Sequence, residues 1–141
     1  MASAAVLYTP EVLALATALA RFPLTGHDLP LSGSARSPAC GSRIEMGLGC
    51  GADGRIARIG LRAQACAVGQ ASAAIFAEAA TGQDRAAIAA ALAAIQAWLG
   101  EGAELPDWPG LGAIAAAQAY PGRHGAILLP WKAALEALPS A

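Results

Sequence analysis

The sequence is poor in charged side chains. Asp, Glu, Lys and Arg make up 13% of its 141 residues and the net charge is −1, whereas a typical globular domain has about 25% charged residues. Binding to nucleic acid or to an anionic membrane surface needs a basic patch, and this composition supplies none. The apolar fraction is instead rich in alanine, which supports helices while burying little surface. We therefore expect neither nucleic acid nor a membrane among the partners.

Cysteines and long apolar runs are also scarce. Three cysteines, an odd number, argue against a disulfide framework and favour a reducing compartment. The longest apolar stretch, residues 86–99, is shorter than the roughly 20 residues of a membrane-spanning helix, and it contains Gln96. The N-terminus lacks the basic region and leucine-rich run of a secretory signal. We expect one domain, residues 1–141, located in the cytoplasm.

The first half of the chain combines one helix with a strand pair. Thr9, Pro10 and Glu11 are typical of a helix start, and Pro23 forbids continuation of that helix. Residues 24–39, rich in Gly, Pro and Ser, indicate a loop or an edge strand. Residues 43–49 and 55–63 predict two antiparallel strands joined by a hairpin turn. The core-facing positions of these strands are Ile44, Met46, Leu48, Ile59 and Leu61, and the outward positions are Glu45, Arg58, Gly60 and Arg62.

Helices dominate the second half. The apolar spacing predicts helices over 67–80 and 84–99, a proline-interrupted loop over 100–112 and a short helix around 114–119. A last helix carries one apolar stripe, and Pro130 is compatible with that helix only in its first turn. The stripe consists of Leu128, Trp131, Leu135 and Leu138. Together these elements predict an α+β fold, in which helices pack on one face of a small antiparallel sheet of two to three strands.

Two cysteines flank the predicted strand pair. Cys40 occurs in Ser-Pro-Ala-Cys-Gly-Ser (37–42), and Cys66 precedes the small-residue start of the helix at 67–80. Further on, Tyr-Pro-Gly-Arg (120–123) leads into Leu-Pro-Trp-Lys-Ala (129–133). With these motifs the chain resembles the NifU/IscU/SufU family of iron–sulfur cluster assembly scaffolds over most of its length, and its last segment is most similar to the SufU branch. The resemblance implies the SufE/NifU-like, IscU-type fold.

The resemblance also implies a cluster site made of three cysteines and an aspartate, with a histidine in the IscU branch. Cys40 and Cys66 match two of the cysteine positions. Ser42 stands at the position of the aspartate, Gly125 at that of the histidine and Ala126 at that of the third cysteine. Because a [2Fe–2S] cluster or a tetrahedral zinc ion takes four donors, the ligand set of this chain is incomplete.

Both matched cysteines are candidates for function. Cys66 lies at a helix N-terminus, where the backbone dipole favours the thiolate that binds metal or attacks sulfur. Cys40 lies in a Pro- and Gly-flanked loop, which is hard to explain by core packing. His124 is a candidate third metal ligand, because imidazole is a common donor and the residue lies two positions before Ala126. The alternative for His124 is a capping or solvent-exposed residue.

The remaining reactive side chains give weaker indications of a functional role. Cys50 is expected to be an incidental thiol in the hairpin turn, and His27 a turn residue. Arg123 either compensates a thiolate charge or is solvated. No phosphate-binding loop, hydrolase motif or zinc-protease motif is present, so an ordinary enzyme has no support in the sequence.

Three functions are consistent with these residues. The first is a scaffold-like protein of iron–sulfur cluster assembly, which binds iron, a [2Fe–2S] cluster or zinc through Cys40 and Cys66, with His124 or a second protomer completing the site. The second is a persulfide acceptor, or sulfurtransferase-like partner, of a cysteine desulfurase, which uses Cys66. The third is a non-catalytic adaptor that has lost the cluster site. The resemblance implies a cysteine desulfurase, iron–sulfur recipient proteins and a second copy of the chain as partners.

Overall fold

A three-stranded antiparallel sheet with helices packed on it forms the core of the computed structural model, which describes residues 7–25 and 28–140. The α+β class predicted from the sequence is therefore confirmed. In chain order the elements are α1 (Pro10–Ala18), the 3₁₀ turn Leu19–Arg21, β1 (Leu31–Arg36), β2 (Arg43–Cys50), β3 (Ile56–Gln64), α2 (Ala67–Ala80), α3 (Arg85–Glu101), the 3₁₀ segment Leu111–Ala119 and α4 (Pro121–Ala137).

Helix starts follow the local sequence signals. The Thr9 hydroxyl accepts a hydrogen bond of 3.1 Å from the Val12 N–H at the start of α1, and Pro10 occupies the first helical position. The Asp84 carboxylate accepts from the Ala87 N–H at 2.9 Å at the start of α3. The short helix expected around 114–119 is the later part of the 3₁₀ segment Leu111–Ala119.

The sheet has the order β1-β2-β3, so the region 24–39 contains an edge strand. In its register, Gly33 lies opposite Met46, which lies opposite Leu61. This row faces the helices, with α4 packed on β1 and β2, and α2 packed on β3. A Cβ at Gly33 would collide with the carbonyl oxygen of Ala133, so the glycine allows α4 to lie directly on the edge strand.

On the opposite face of the sheet, Pro23, Leu24 and Leu29 lie over β2 and β3. Gly60, which was expected to face outward, lies on this face and is buried there. A Cβ there would collide with the carbonyl oxygen of Pro23 and lie 2.8 Å from a methyl carbon of Leu29. This outward face is not exposed at Gly60 because Pro23 and Leu29 lie over the centre of β3. Beside them, the Leu61 N–H donates to the Phe22 carbonyl at 2.9 Å.

Three aromatic side chains fill the middle of the helical layer. Phe76 of α2 stacks on Trp108 with ring centroids 5.4 Å apart, and Trp131 of α4 meets both rings edge-on at 5.3 Å. The Trp108 indole N–H donates to the Ile75 carbonyl at 3.0 Å. This cluster joins α2, α4 and the loop between α3 and the 3₁₀ segment into one core.

Helix α4 begins earlier than the sequence indicated. It starts at Pro121, so Pro130 lies well inside the helix, and the expectation that Pro130 belongs to the first turn was wrong. Proline has no N–H to donate to the carbonyl of Ala126, four residues earlier. One residue further along the helix, the Ile127 carbonyl accepts a buried hydrogen bond of 2.7 Å from the Ser72 hydroxyl. Contact with α2 thus supports α4 near the position where proline disturbs its own hydrogen bonds.

Helix α3 secures the end of α4. Its first residue, Arg85, donates from one guanidinium nitrogen to the carbonyls of Leu135 and Leu138, each at 2.7 Å. These carbonyls lie at the C-terminus of a helix, where a positive charge is favourable. The residues that α3 buries are Ile88, Ile95, Trp98 and Leu99. Within residues 7–25 and 28–140, no helix combines the length and hydropathy needed to cross a membrane.

Candidate functional site

Cys40 and Cys66 lie at the same end of the sheet. Cys40 comes three residues before Arg43, the first residue of β2, and Cys66 comes two residues after Gln64, the last residue of β3. Arg43 and Gln64 are register partners, and their side chains are joined by a hydrogen bond of 2.7 Å. The strand pairing therefore brings the two cysteine-bearing segments together.

A tight turn presents Cys40 to solvent. The Ser37 N–H donates to the Ser42 carbonyl, and the Gly41 N–H donates to the Ser37 carbonyl, both at 2.8 Å. Gly41 has φ +72°, which glycine adopts at no steric cost. The Pro- and Gly-flanked segment identified in the sequence is thus a closed turn with the exposed thiol of Cys40 at its tip.

Two serine hydroxyls lie beside the Cys40 sulfur. Its Sγ is 3.4 Å from Ser37 Oγ and 3.2 Å from Ser42 Oγ. Both serines are buried. Hydrogen bonds from Ser37 and then Ser42 lower the pKa of Cys40, and the charge of Arg123 acts in the same direction. Ser42, which the resemblance matches to an aspartate, thus stabilises a neighbouring thiolate without adding a negative charge.

Cys66 is the N-cap residue of α2, as the sequence indicated. Its backbone is extended and its carbonyl accepts from the Gln70 N–H at 2.9 Å. The side chain is half-buried, and among the described residues its sulfur makes no capping hydrogen bond to the helix. The thiol therefore stands at the positive end of a helix without being used to cap it.

The start of α4 lies against both cysteine-bearing segments. A Cβ at Gly125 would collide with the Ser37 hydroxyl, so the absence of a side chain lets α4 approach the Cys40 turn. Ala126 is buried and packs against Gly69, which lies in the first turn of α2. A Cβ added to Gly69 would be 3.2 Å from the Ala126 Cβ. The positions that the resemblance matches to the IscU-branch histidine and the third cysteine thus adjoin the Cys40 turn and the Cys66 helix.

Arg123 adds a positive charge to this arrangement. It lies one helical turn before Ala126, and its guanidinium donates to the Tyr8 hydroxyl at 3.3 Å. This hydrogen bond raises the pKa of Arg123, and the charges of Cys66 and Cys40 raise it further, with Cys66 the stronger of the two. The guanidinium is therefore within electrostatic range of both thiols.

His124 and the cysteines do not form a cluster of metal donors. The His124 Nε2 is 2.8 Å from the Gln118 carbonyl oxygen, at the end of the 3₁₀ segment. In the part of the chain that the structure describes, no three His, Cys, Asp or Glu side chains lie close enough together to hold a metal ion. The role of His124 as a metal ligand stays a prediction, and the two thiols are the donors at this end of the sheet.

The other reactive side chains lie apart from the site or outside the described residues. Cys50 is the last residue of β2, paired with Ile56 beside a register shift, at the opposite end of the strand from the Cys40 turn. Burial raises the pKa of its thiol. His27 lies outside the described residues. No sequence pattern indicated the participation of Tyr8, because it lies more than one hundred residues before Arg123 in the chain.

Comparisons with known proteins agree with the geometry. No protein-family model matches the sequence, and no curated protein matches it either. Among solved structures, a nitrogen-fixing NifU-like protein (N-terminal) from Brucella abortus is 24% identical, with a TM-score of 0.84 over 94% of this chain and 92% of that one.

Two further structures extend this similarity. An iron–sulfur cluster assembly scaffold assigned to the SUF system, from the thermophile Fervidobacterium islandicum AW-1, is 19% identical with a TM-score of 0.83, covering 97% of this chain and 100% of that one. A hypothetical protein is 22% identical with a TM-score of 0.73, covering 91% and 96%. The chain therefore has the fold of NifU-like and SufU scaffold proteins, as its cysteine motifs predicted.

Proposed function

We propose that this chain is a scaffold-like protein of iron–sulfur cluster assembly that handles its cargo at a two-thiol site, Cys40 and Cys66. The observation that carries the proposal is the position of both thiols at one end of the sheet, within electrostatic range of Arg123. The fold of the NifU-like and SufU structures supports it. In this role the protein works in the cytoplasm and passes cargo to iron–sulfur recipient proteins.

The number of donors determines how cargo would be held. A [2Fe–2S] cluster takes four protein donors, and one chain offers two thiols at this site. Two protomers that face each other through this end of the sheet would supply four cysteines. Iron or zinc would need only two further ligands, from solvent, from His124 or from a partner protein. We therefore propose that cargo is shared between chains rather than enclosed by one.

Sulfur transfer is the second candidate function. Formation of a persulfide requires one thiolate and, unlike metal binding, no further ligands. A site with two thiols and a nearby positive charge meets this requirement. In this role the chain accepts sulfur on Cys66 from a cysteine desulfurase. Metal binding and sulfur acceptance are distinguishable because the first needs both cysteines and the second needs one.

The test is the content of iron, zinc, acid-labile sulfide and cysteine-bound sulfane sulfur per chain. Protein purified without oxygen is incubated with a cysteine desulfurase, cysteine and ferrous iron, and then desalted. Cys40→Ser and Cys66→Ser are compared with wild type, and Cys50→Ser is the matched control because that thiol lies at the other end of β2.

Each result assigns one function. Iron and sulfide in equal amounts, lost in both site variants and retained in Cys50→Ser, would establish the scaffold. Bound zinc or iron without sulfide, lost in the same two variants, would establish a metal site. Sulfane sulfur without iron, lost only in Cys66→Ser, would establish sulfur acceptance. Wild-type protein that holds no metal, sulfide or sulfane sulfur would refute both proposals and favour an adaptor.

A further inference from the structure

One donor of the Arg123 guanidinium has no acceptor among the described residues. One end of the group donates to Tyr8, while Nε is buried and has no hydrogen-bond partner within residues 7–25 and 28–140. A buried donor without an acceptor is costly and rare in folded proteins. Arg123 is within electrostatic range of both thiols, so an anion bound at this site could supply the missing acceptor.

The backbone places this donor on the Cys66 side of the site. Residues 123 and 126 are three apart on α4 and share a helix face. Ala126 on that face packs against Gly69, in the first turn of the helix that Cys66 caps. The larger electrostatic coupling of Arg123 to Cys66 than to Cys40 is consistent with this placement.

We propose that Arg123, oriented by Tyr8, binds the terminal sulfur anion of a persulfide on Cys66. The inference rests on the proposed function, because it specifies the form in which sulfur occupies the site. A guanidinium stays protonated and offers several N–H donors in a fixed plane, which suits an anion that projects one bond beyond the cysteine sulfur.

The persulfide forms without an external oxidant. The Cys66 thiolate attacks a terminal sulfur of an inorganic polysulfide, one sulfur–sulfur bond forms, and the bond behind the attacked sulfur breaks. The electron pair leaves with the polysulfide dianion, which is shortened by one atom. Charge is conserved, since a thiolate and a dianion become a persulfide anion and a dianion. Arg123 stabilises the product by a charge-assisted hydrogen bond.

The test measures the lifetime of this persulfide in a Cys50→Ser background. The protein is exposed briefly to sodium polysulfide and desalted, and the sulfur on Cys66 is followed over time by peptide mass spectrometry. Arg123→Met removes the charge and Arg123→Lys keeps it. Arg43→Met is the matched control, because it removes a positive charge from the same end of the sheet, where Arg43 contacts Gln64.

We expect Arg123→Met to shorten the half-life of the Cys66 persulfide roughly tenfold, and Arg123→Lys and Arg43→Met to stay within about twofold of the parent. Tyr8→Phe, which removes the orienting hydroxyl, should shorten it by a smaller factor. Equal half-lives for Arg123→Met and Arg43→Met would overturn the inference. If Arg123→Met does not fold, judged by tryptophan fluorescence, Tyr8→Phe decides: an unchanged half-life overturns the inference.

This experiment is independent of the one for the proposed function. It contains no desulfurase and no iron, so an Arg123-dependent persulfide would stand even if no cluster or metal were assembled. Conversely, successful cluster assembly together with an Arg123-independent persulfide would overturn only the present inference.

Discussion

Removing the Arg85 side chain's charge should loosen α4, the helix that carries Arg123, Gly125 and Ala126. In Arg85→Met the apolar stem is kept, while the two 2.7 Å hydrogen bonds to the last carbonyls of α4 are lost. A hydrogen bond from a charged donor contributes about 1.5–3 kcal/mol when it is protected, and Arg85 is partly exposed. We therefore expect a loss of about 2 kcal/mol for the pair, which lowers the urea midpoint by about 1 M.

The assay is equilibrium unfolding in urea, followed by tryptophan fluorescence, since Trp131 is fully buried in the same helix. Arg62→Met is the control. Arg62 forms a 3.3 Å ion pair with Glu45 at side-chain exposures of 57% and 48%, and such surface pairs contribute only about 0–1 kcal/mol. A midpoint shift for Arg85→Met no larger than that for Arg62→Met would refute the reasoning.

Three further results are expected. Gly33→Ala should lower the free energy of unfolding by about 1–3 kcal/mol, because the added Cβ meets the backbone of α4. Gly100→Ala should raise it by about 0.5–1 kcal/mol, because Gly100 lies in α3 with open space around it. Thermal melts in which Gly33→Ala is the more stable of the two variants would contradict this. Iodoacetamide should alkylate Cys40 faster than Cys50 near neutral pH, because the pKa of Cys40 is lowered and that of Cys50 raised. The ratio of the Cys40 rate to the Cys50 rate should fall as pH rises, because both thiols are then ionised. A rate ratio that does not change with pH would exclude the pKa difference as its cause. Ser72→Ala should cost about 1–2 kcal/mol in urea unfolding, because a buried carbonyl loses its donor, and an unchanged midpoint would contradict that.

Local sequence signals predicted most of the architecture. Alternation of apolar residues predicted β2 and β3, and helical spacing predicted α3 and also α2, the latter with the bounds that the structure has. The capping residues Thr9 and Pro10 predicted the start of α1. These features depend on neighbours in the chain. The burial of Gly60 was missed because it depends on Pro23 and Leu29, which lie over β3. The expectation for Pro130 was wrong because α4, joined to α2 by the hydrogen bond between Ser72 and Ile127, contains this proline in its interior.

The site was predictable in part for the same reason. Cys66 at a helix N-terminus and Cys40 in a Gly-containing turn follow from local patterns. No spacing rule indicates that Ser37 and Ser42 both lie beside the Cys40 sulfur, because that depends on how the turn closes. The contact between Tyr8 and Arg123 joins distant parts of the chain. The contact of His124 with the Gln118 carbonyl likewise requires the path of the 3₁₀ segment.

The close fit of Gly125 against Ser37 constrains how this protein could be engineered. Installing a histidine at position 125, which the resemblance matches to the histidine of the IscU branch, would drive its Cβ into the Ser37 hydroxyl and push the Cys40 turn away. An IscU-type histidine would therefore require Ser37→Gly together with Gly125→His, whereas Ala126→Cys changes a neighbouring position without that collision. Substitutions at 37 and 125 are thus coupled, and a natural or designed variant should change them as a pair.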